Sequence, residues 1–383
     1  MAEPDMAVSI ARRAAFVALA VVVGLVLVIR ATRADAPAFV VEGVEVDRTA
    51  ASATLAREAA LAEGQQMAFR RLLERLTLRA DHPRLPELSA AGVADLIENF
   101  EVQAERSSSV RYIATLTFRF NPEGVRAVLR RAGIPFAETR ARPMVILPVF
   151  RRGDGAVLWD APNPWFDVWR GVPARDGLQP LVIPLGDLGD IGAISAEQAM
   201  QGAVDRIDAI ARRYDAGGAI VVEALLDGPA DRRTTVEVAT TRFDGAAAEQ
   251  TVVESYVARP DEDEAALLAR AAVETARLIE ERWKSDVVLQ FGKQAVLTAN
   301  VSFAGVEDWV MLRRRLAEAA VIRKADILSL SRGRAQVELH YIGTESGLRL
   351  ALAQKDLLLE RDGAGWELRL RPTSGEGQAP SRP

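Results

Sequence analysis

The chain of 383 residues has a formal net charge of −5 and contains no cysteine. Its length suggests two or three domains, because single hydrophobic cores usually stop growing below this size. The acidic balance argues against non-specific nucleic-acid binding, which normally needs a basic surface. The absence of cysteine excludes disulfides, thiolate nucleophiles, zinc–thiolate sites and a lipid-modified amino terminus.

The amino-terminal residues have the pattern of an export signal. Arg12 and Arg13 precede an uncharged apolar run over 14–29, and small residues with two further arginines follow as far as Ala34. This order is typical of a secretory signal, with cleavage after Ala34. The alternative is an uncleaved anchor, since arginines follow the run, although the run is shorter than the roughly 20 residues that span a membrane. Either way we expect a periplasmic protein, soluble after cleavage or tethered to the inner membrane by residues 14–29.

Residues 35–140 predict a small βαββα domain. A strand is followed by an amphipathic helix from about Ser52 to Thr77, and alternating apolar residues predict a hairpin of strands over 100–105 and 112–120. We expect each hairpin strand to bury one face. The buried stripe of the helix is predicted to consist of Leu55, Ala59, Ala62, Phe69, Leu72 and Leu76.

Residues 141–288 predict a central α/β domain. It begins with the apolar strand Met144–Val149, and a helix from Ser195 to Tyr214 opens on a capping box. The almost wholly apolar run over 219–226 suits a strand covered on both faces. A long helix from about Asp261 to Lys284 closes the domain. Its inward positions are predicted to be Leu268, Ala272, Thr275, Ile279 and Trp283.

Residues 289–371 predict a βαββαββ domain that repeats the element order of the first domain. The tail over 372–383 is polar and rich in Gly and Pro, which predicts disorder. The predicted fold class is therefore α+β and multi-domain, with two small two-layer βαββα-type domains flanking a central α/β domain. We expect linkers near Arg140–Pro143 and Lys284–Gly292.

The segment over 154–190 contains the candidate binding site. Three of the six tryptophans lie within 159–169, and its acids could converge at the carboxyl ends of the central strands, where ligands often bind. The tryptophans could form an exposed shelf for a glycan or a partner helix. The alternatives are that the acids cap turns and that the tryptophans fill the core. The candidate binding residues are Trp159, Asp160, Asn163, Trp165, Trp169, Asp187 and Asp190.

The sequence predicts no catalytic constellation, no cofactor and no metal site. The two histidines, His82 and His340, fall in different predicted domains, and neither has a partner at metal-ligand spacing. His340 alternates with two apolar neighbours, so it should point away from the core. A glycine-rich phosphate loop is also absent from the sequence.

Three motifs resemble a bacterial family known as domain of unknown function number 2066. They are REAALAEGQQMA over 57–68, LWDAPNPW over 158–165 and PLGD over 184–187. The resemblance covers most of residues 39–370 and implies a Gram-negative envelope protein without an established activity. The central domain is also similar to the α/β domains of the curli-secretion lipoprotein and of Tol-Pal translocation proteins. That similarity implies an interaction module rather than an enzyme.

Two functions of different classes follow. The leading one is an exported, non-catalytic module that binds another envelope protein, with no nucleic-acid partner and with membrane contact only through the amino-terminal segment. The alternative is a hydrolase or a carbohydrate-binding protein that uses the Asp and Trp cluster of residues 154–190. A cleft lined by the acids, with exposed tryptophans, would favour the alternative.

Overall fold

A computed structural model describes residues 37–172, 177–227, 234–244, 251–288, 294–363 and 365–371. Within these ranges the chain forms three sheets with helices packed against them, as the predicted α+β class requires. The predicted export signal and the predicted tail lie outside the described residues. None of the described helices is long and apolar enough to span a membrane.

The strands of the first sheet are β1 (Val40–Thr49), β2 (Ile97–Ser107) and β3 (Arg111–Phe120). Those of the central sheet are β4 (Met144–Arg152), β5 (Gly155–Val157), β6 (Leu181–Val182), β7 (Gly218–Asp227), β8 (Thr235–Phe243) and β9 (Val252–Val257). Those of the third sheet are β10 (Gln294–Ser302), β11 (Ile322–Ser331), β12 (Arg334–Ile342), β13 (Leu357–Asp362) and β14 (Gly365–Leu370).

The α-helices are α1 (Ala53–Leu76), α2 (Ala90–Ala94), α3 (Pro122–Arg131), α4 (Pro164–Arg170), α5 (Leu188–Ala193), α6 (Ala196–Met200), α7 (Val204–Arg213), α8 (Glu264–Val287), α9 (Val306–Ala317) and α10 (Glu345–Ala353). Short 3-10 helices cover Pro37–Phe39 and Arg79–Arg84.

Helix α1 covers part of the first sheet, whose strand order is β1-β3-β2. The helix starts where it was expected, with Ser52 as its N-cap, but the buried stripe in its first half differs from the prediction. Leu55 is 50% exposed, and Ala56, Ala60 and Gly64 face the sheet instead. The reason is the short helix–sheet distance, because a Cβ atom on Gly64 would lie 3.1 Å from two side chains of the sheet. The smallest residues therefore form the packed face.

Strand β2 does not bury one face, contrary to the prediction. It lies at the edge of the sheet, and every residue from Glu98 to Ser107 is exposed. Phe100 and Val102 point to the same side as α1, since they pair with the buried residues Phe118 and Leu116 of β3. The helix packs over β1 and β3 and leaves this part of the apolar face open.

The central sheet has the order β5-β4-β7-β8-β9, and its strands β4 and β7 are covered on both faces. Strand β7 is therefore buried on both sides, which confirms the prediction from its apolar run. Pro148 is accommodated within β4 because its backbone nitrogen points away from β7. The Met144 N–H donates to the Pro180 carbonyl on that side, and residues two and four positions further along a strand direct their N–H groups to the same side. Pro148 then faces the gap between β6 and β5, where no donor is needed.

The helix expected from Ser195 to Tyr214 is two helices, α6 and α7. They are separated at Gly202, whose φ of +67° interrupts the helical backbone. The capping box at Ser195 is confirmed, with reciprocal hydrogen bonds to Gln198. In α8 the five predicted inward positions are all buried.

The third unit repeats the topology of the first. The order β10-α9-β11-β12-α10 matches β1-α1-β2-β3-α3, and in both sheets the second strand of the unit is an edge strand beside the third. Both edge strands carry two extra residues relative to their partner strand, Glu98 and Gln103 in β2 and Arg323 and Leu328 in β11. These bulges occupy matching places, so the two units are repeats of one βαββα motif.

The described parts of the three units are packed against one another. Trp283 at the end of α8 donates a hydrogen bond from Nε1 to the carbonyl of Thr139 at 2.8 Å, and Lys284 Nζ donates to the carbonyl of Thr77 at 2.8 Å. Thr139 and Ala141 are buried, so the chain near Arg140–Pro143 is not an exposed linker. One continuous apolar cluster runs from the first unit into the third.

Candidate functional site

Helix α4 holds two of the candidate tryptophans inside the central core. Asn163 is its N-cap, with Oδ1 accepting from the Phe166 N–H at 3.0 Å and Nδ2 donating to the Leu158 carbonyl at 2.9 Å. Trp165 and Trp169 are one helical turn apart, fully buried, and meet edge to face at 5.8 Å. Trp165 Nε1 also donates to the Val222 carbonyl of β7 at 2.9 Å. These two residues fill the core and form no exposed shelf.

Trp159 and Asp160 lie at the surface end of this segment. Trp159 is half-buried, donates from Nε1 to the Ile194 carbonyl at 2.6 Å, and meets Phe166 edge to face at 5.9 Å. Asp160 is exposed, as is Asp154 in the turn between β4 and β5. Trp159 therefore anchors the segment against the start of α6.

Asp187 and Asp190 are brought together, and both are committed to structure. Asp187 is the N-cap of α5 and accepts from the Asp190 N–H at 3.0 Å. Asp190 is fully buried, and its carboxylate accepts from Arg213 Nε at 2.8 Å, Tyr214 OH at 2.7 Å and the Gly186 N–H at 2.8 Å. The carboxylate thus ties the turn before α5 to the end of α7.

The electrostatics of this network are those of a stabilised turn. Hydrogen bonding from the Asp190 N–H, together with the charge of Arg213, lowers the pKa of Asp187. Burial raises the pKa of Tyr214, which is then protonated and able to donate to Asp190 at neutral pH. Since Asp190 has no solvent access, the acids do not line one cleft with exposed tryptophans, and the geometry gives no support to a hydrolytic or sugar-binding site here.

A different polar cluster lies on the outer face of the third sheet, away from its helices. Strand register places Asp326 of β11 opposite Glu338 of β12, with His340 two residues further along β12. His340 Nε2 lies 3.0 Å from Glu338 Oε1 and 3.3 Å from Asp326 Oδ2. The prediction that neither histidine has a partner at metal-ligand spacing is therefore wrong for His340. The sequence signal was Glu338-Leu339-His340, since residues two apart on a strand share a face.

The rest of this outer face is open and polar. Beside the cluster, an open cavity of about 480 Å³ lies over the sheet. Its polar lining comes from all five strands and includes Asn300, Ser302, Ser329, Gln336, Asp362 and Glu367. Within the described residues, Asp326, Glu338 and His340 are the group whose His and carboxylate atoms could hold a metal ion.

One family model matches the first unit. Residues 38–138 match the family model of a domain of unknown function (DUF8605), and this range contains the first sheet with α1, α2 and α3. The resemblance to domain of unknown function number 2066 is wrong, because the model that matches describes a different family. The similarity of the central domain to curli-secretion and Tol-Pal proteins has no support from any family model. No curated protein matches the chain.

Proposed function

We propose that this chain is an exported, non-catalytic module that binds a partner protein of the cell envelope through strand β2. The observation that carries the proposal is the uncovered apolar surface of β2, where Phe100 is 40% exposed and Val102 is 37% exposed. Edge strands with free backbone N–H and C=O groups accept extended peptides, and neighbouring apolar side chains add specificity.

The shape of β2 limits what it can bind. Its two extra residues, Glu98 and Gln103, interrupt regular pairing, so an added strand would be regular only over the short stretch between them. Phe100 stacks against Phe118 at a centroid distance of 5.9 Å, which holds its ring in a fixed position at the surface. We therefore expect a short partner segment with one or two apolar anchors.

The charge of β2 suggests the chemistry of the partner. Glu98, Glu101 and Glu105 are exposed on this strand, against a single arginine, Arg106. Electrostatic complementarity steers association and excludes wrong partners more than it adds affinity. The expected partner segment therefore carries lysine or arginine beside its apolar anchors, and its binding should weaken with added salt.

The test is site-specific photocrosslinking of the full chain in cells. A crosslinking residue at position 100 or 102 should capture the same partner, whereas one at Asp205, which is exposed on α7, should not. Phe100→Ser should reduce capture from position 102. It should lower the free energy of unfolding by less than the about 3–5 kcal/mol that truncation of a fully buried phenylalanine costs, because Phe100 is 40% exposed. Equal capture from position 205 would exclude β2 as the binding surface.

Export is tested separately. An export-dependent reporter fused after Ala38 should be active, because the segment before it has the order of a secretory signal. Retention of the fusion in the cytoplasm would overturn the compartment, and a partner in the envelope with it.

A further inference from the structure

We propose that Asp326, Glu338 and His340 bind a divalent transition-metal ion, with Zn²⁺ as the expected ion, on the outer face of the third sheet. The three residues offer one imidazole nitrogen and two carboxylate oxygens, whose ligand atoms lie within 4.8 Å of one another. Mixed nitrogen and oxygen ligands suit zinc and its neighbours rather than calcium or magnesium. The remaining coordination positions would face solvent, since the cluster lies on an uncovered sheet face.

The distances within the cluster fit ligands of one ion. Nε2 of His340 is sheltered from solvent and has no hydrogen bond of acceptable geometry among the described residues, although carboxylate oxygens lie 3.0 and 3.3 Å away. Ligands about 2.1 Å from a zinc ion, separated by 90–109° at the metal, lie about 3.0–3.4 Å apart. The two separations from His340 Nε2 therefore match shared coordination of one ion.

The charges around the cluster favour a cation. Lys324 Nζ lies 2.7 Å from Asp326 Oδ2, so a cation already occupies one side of the cluster. Two carboxylates against one ammonium leave a negative balance when His340 is neutral. The Lys324 side chain is 67% exposed and can turn away into solvent when a divalent ion takes its place.

The first unit provides an internal comparison. There the matching positions, identified by register and by the paired bulges, are Glu101, Thr117 and Arg119. Glu101 faces Thr117 as Asp326 faces Glu338, and Arg119 follows two residues after Thr117 as His340 follows Glu338. A guanidinium is always charged and cannot ligate a metal. The first unit therefore has Thr117 and Arg119 at the positions of the proposed ligands Glu338 and His340, and it keeps only one carboxylate, Glu101.

The experiment uses nuclear magnetic resonance of the imidazole nitrogens in the full chain. The chain has two histidines, so His82 is an internal reference. Addition of Zn²⁺ at neutral pH should shift the His340 signals, saturate at one ion per chain, and leave the His82 signals unchanged. Mg²⁺ in the same excess should shift neither, because it prefers oxygen ligands and retains its water.

Three variants complete the test. His340→Arg, which installs the residue found in the first unit, and Glu338→Gln, which keeps the side-chain shape, should each abolish the saturable binding. His82→Gln should retain it. Zn²⁺ should also raise the melting temperature of the wild-type chain and of His82→Gln, but not of His340→Arg, since a ligand that binds only the folded state stabilises it. Binding that survives both His340→Arg and Glu338→Gln, or the absence of any His340 shift in a large excess of Zn²⁺, would overturn the proposal and leave a surface ion pair.

Discussion

The first and third units have the same chain order but different outer faces. In both, the hairpin strand nearest the core carries small or apolar residues towards the helices, as at Leu116 and Val337. On the opposite side, Arg119 of the first unit corresponds to His340 of the third. A packed face has to stay apolar for the sheet to hold its helix, whereas an uncovered face can change its chemistry without cost to the core. The repeat thus supplies one fold with two different surfaces.

The central unit differs from both repeats because helices cover both faces of its strands β4 and β7. Helices α4 and α8 cover one side and α6 and α7 the other. Its tryptophans and its acids were the strongest functional signals in the sequence. The structure buries Trp165, Trp169 and Asp190, and it leaves the other candidate acids exposed. The two surfaces for which we propose binding, strand β2 and the Asp326, Glu338 and His340 cluster, belong to the two repeats.

The largest effect is expected from Trp165→Ala, which tests whether the central unit is structural. Trp165 is fully buried and its Nε1 is hydrogen-bonded to the Val222 carbonyl, so truncation should lower the free energy of unfolding by about 3–5 kcal/mol. Denaturant unfolding measures this free energy. The full chain is used because α8 of the central unit is packed against the first unit. Trp159→Ala, at a half-buried position, should cost clearly less. A change below about 1 kcal/mol at Trp165 would contradict core packing.

Matched truncations in the two repeats test whether they share one core. Leu116→Ala in β3 and Leu339→Ala in β12 both remove a fully buried side chain, and each should cost about 2–5 kcal/mol. Because the apolar cluster is continuous between the repeats, both substitutions should shift the same unfolding transition. Calorimetry of the two variants checks this. Separate transitions, each moved by only one variant, would show that the repeats unfold independently.

A smaller effect should test the close packing of α1 on the sheet of the first repeat. Gly64→Val places a branched side chain where even a Cβ atom would lie 3.1 Å from Val46 and Leu116, and such overpacking typically costs about 1–3 kcal/mol. Ala59→Val, on the exposed side of the same helix, is the control and should cost only the difference in helix propensity. Equal losses at the two positions would mean that the close approach of α1 to its sheet contributes nothing.

Local signals in the sequence predicted much of the fold. The helix start near Ser52, the capping box at Ser195, the apolar run of β7 and the repeated order of the third unit all depend on neighbouring residues, and the structure confirms them. The prediction of the buried stripe of α1 was wrong in its first half, because an alanine-rich helix has more than one apolar side. Only the distance to the sheet selects the side of Gly64.

The candidate site was less predictable because its contacts are distant in the chain. Asp190 forms an ion pair with Arg213 and accepts a hydrogen bond from Tyr214, both more than twenty residues later in the chain. Neither contact follows a sequence spacing that could have predicted it. Asp326 lies near His340 because of the register between β11 and β12. The extra residue Leu328 shifts this register by one position, which the sequence did not indicate. The helical turn that buries Trp165 did have a local signal, the N-cap and proline pair Asn163-Pro164.

The hydrogen bond from Trp283 to Thr139 also delays completion of the first unit during synthesis on the ribosome. The two residues are 144 positions apart, so at about 5–20 residues per second the first unit waits roughly 7–30 s for the side chain that completes its core. During that interval the amino-terminal third of the chain cannot reach its final stability. Nascent chains arrested before Trp283 should therefore be digested within 37–140, and chains arrested well beyond it should be protected there. Equal protection in both would show that the first unit matures without waiting for its distant tryptophan.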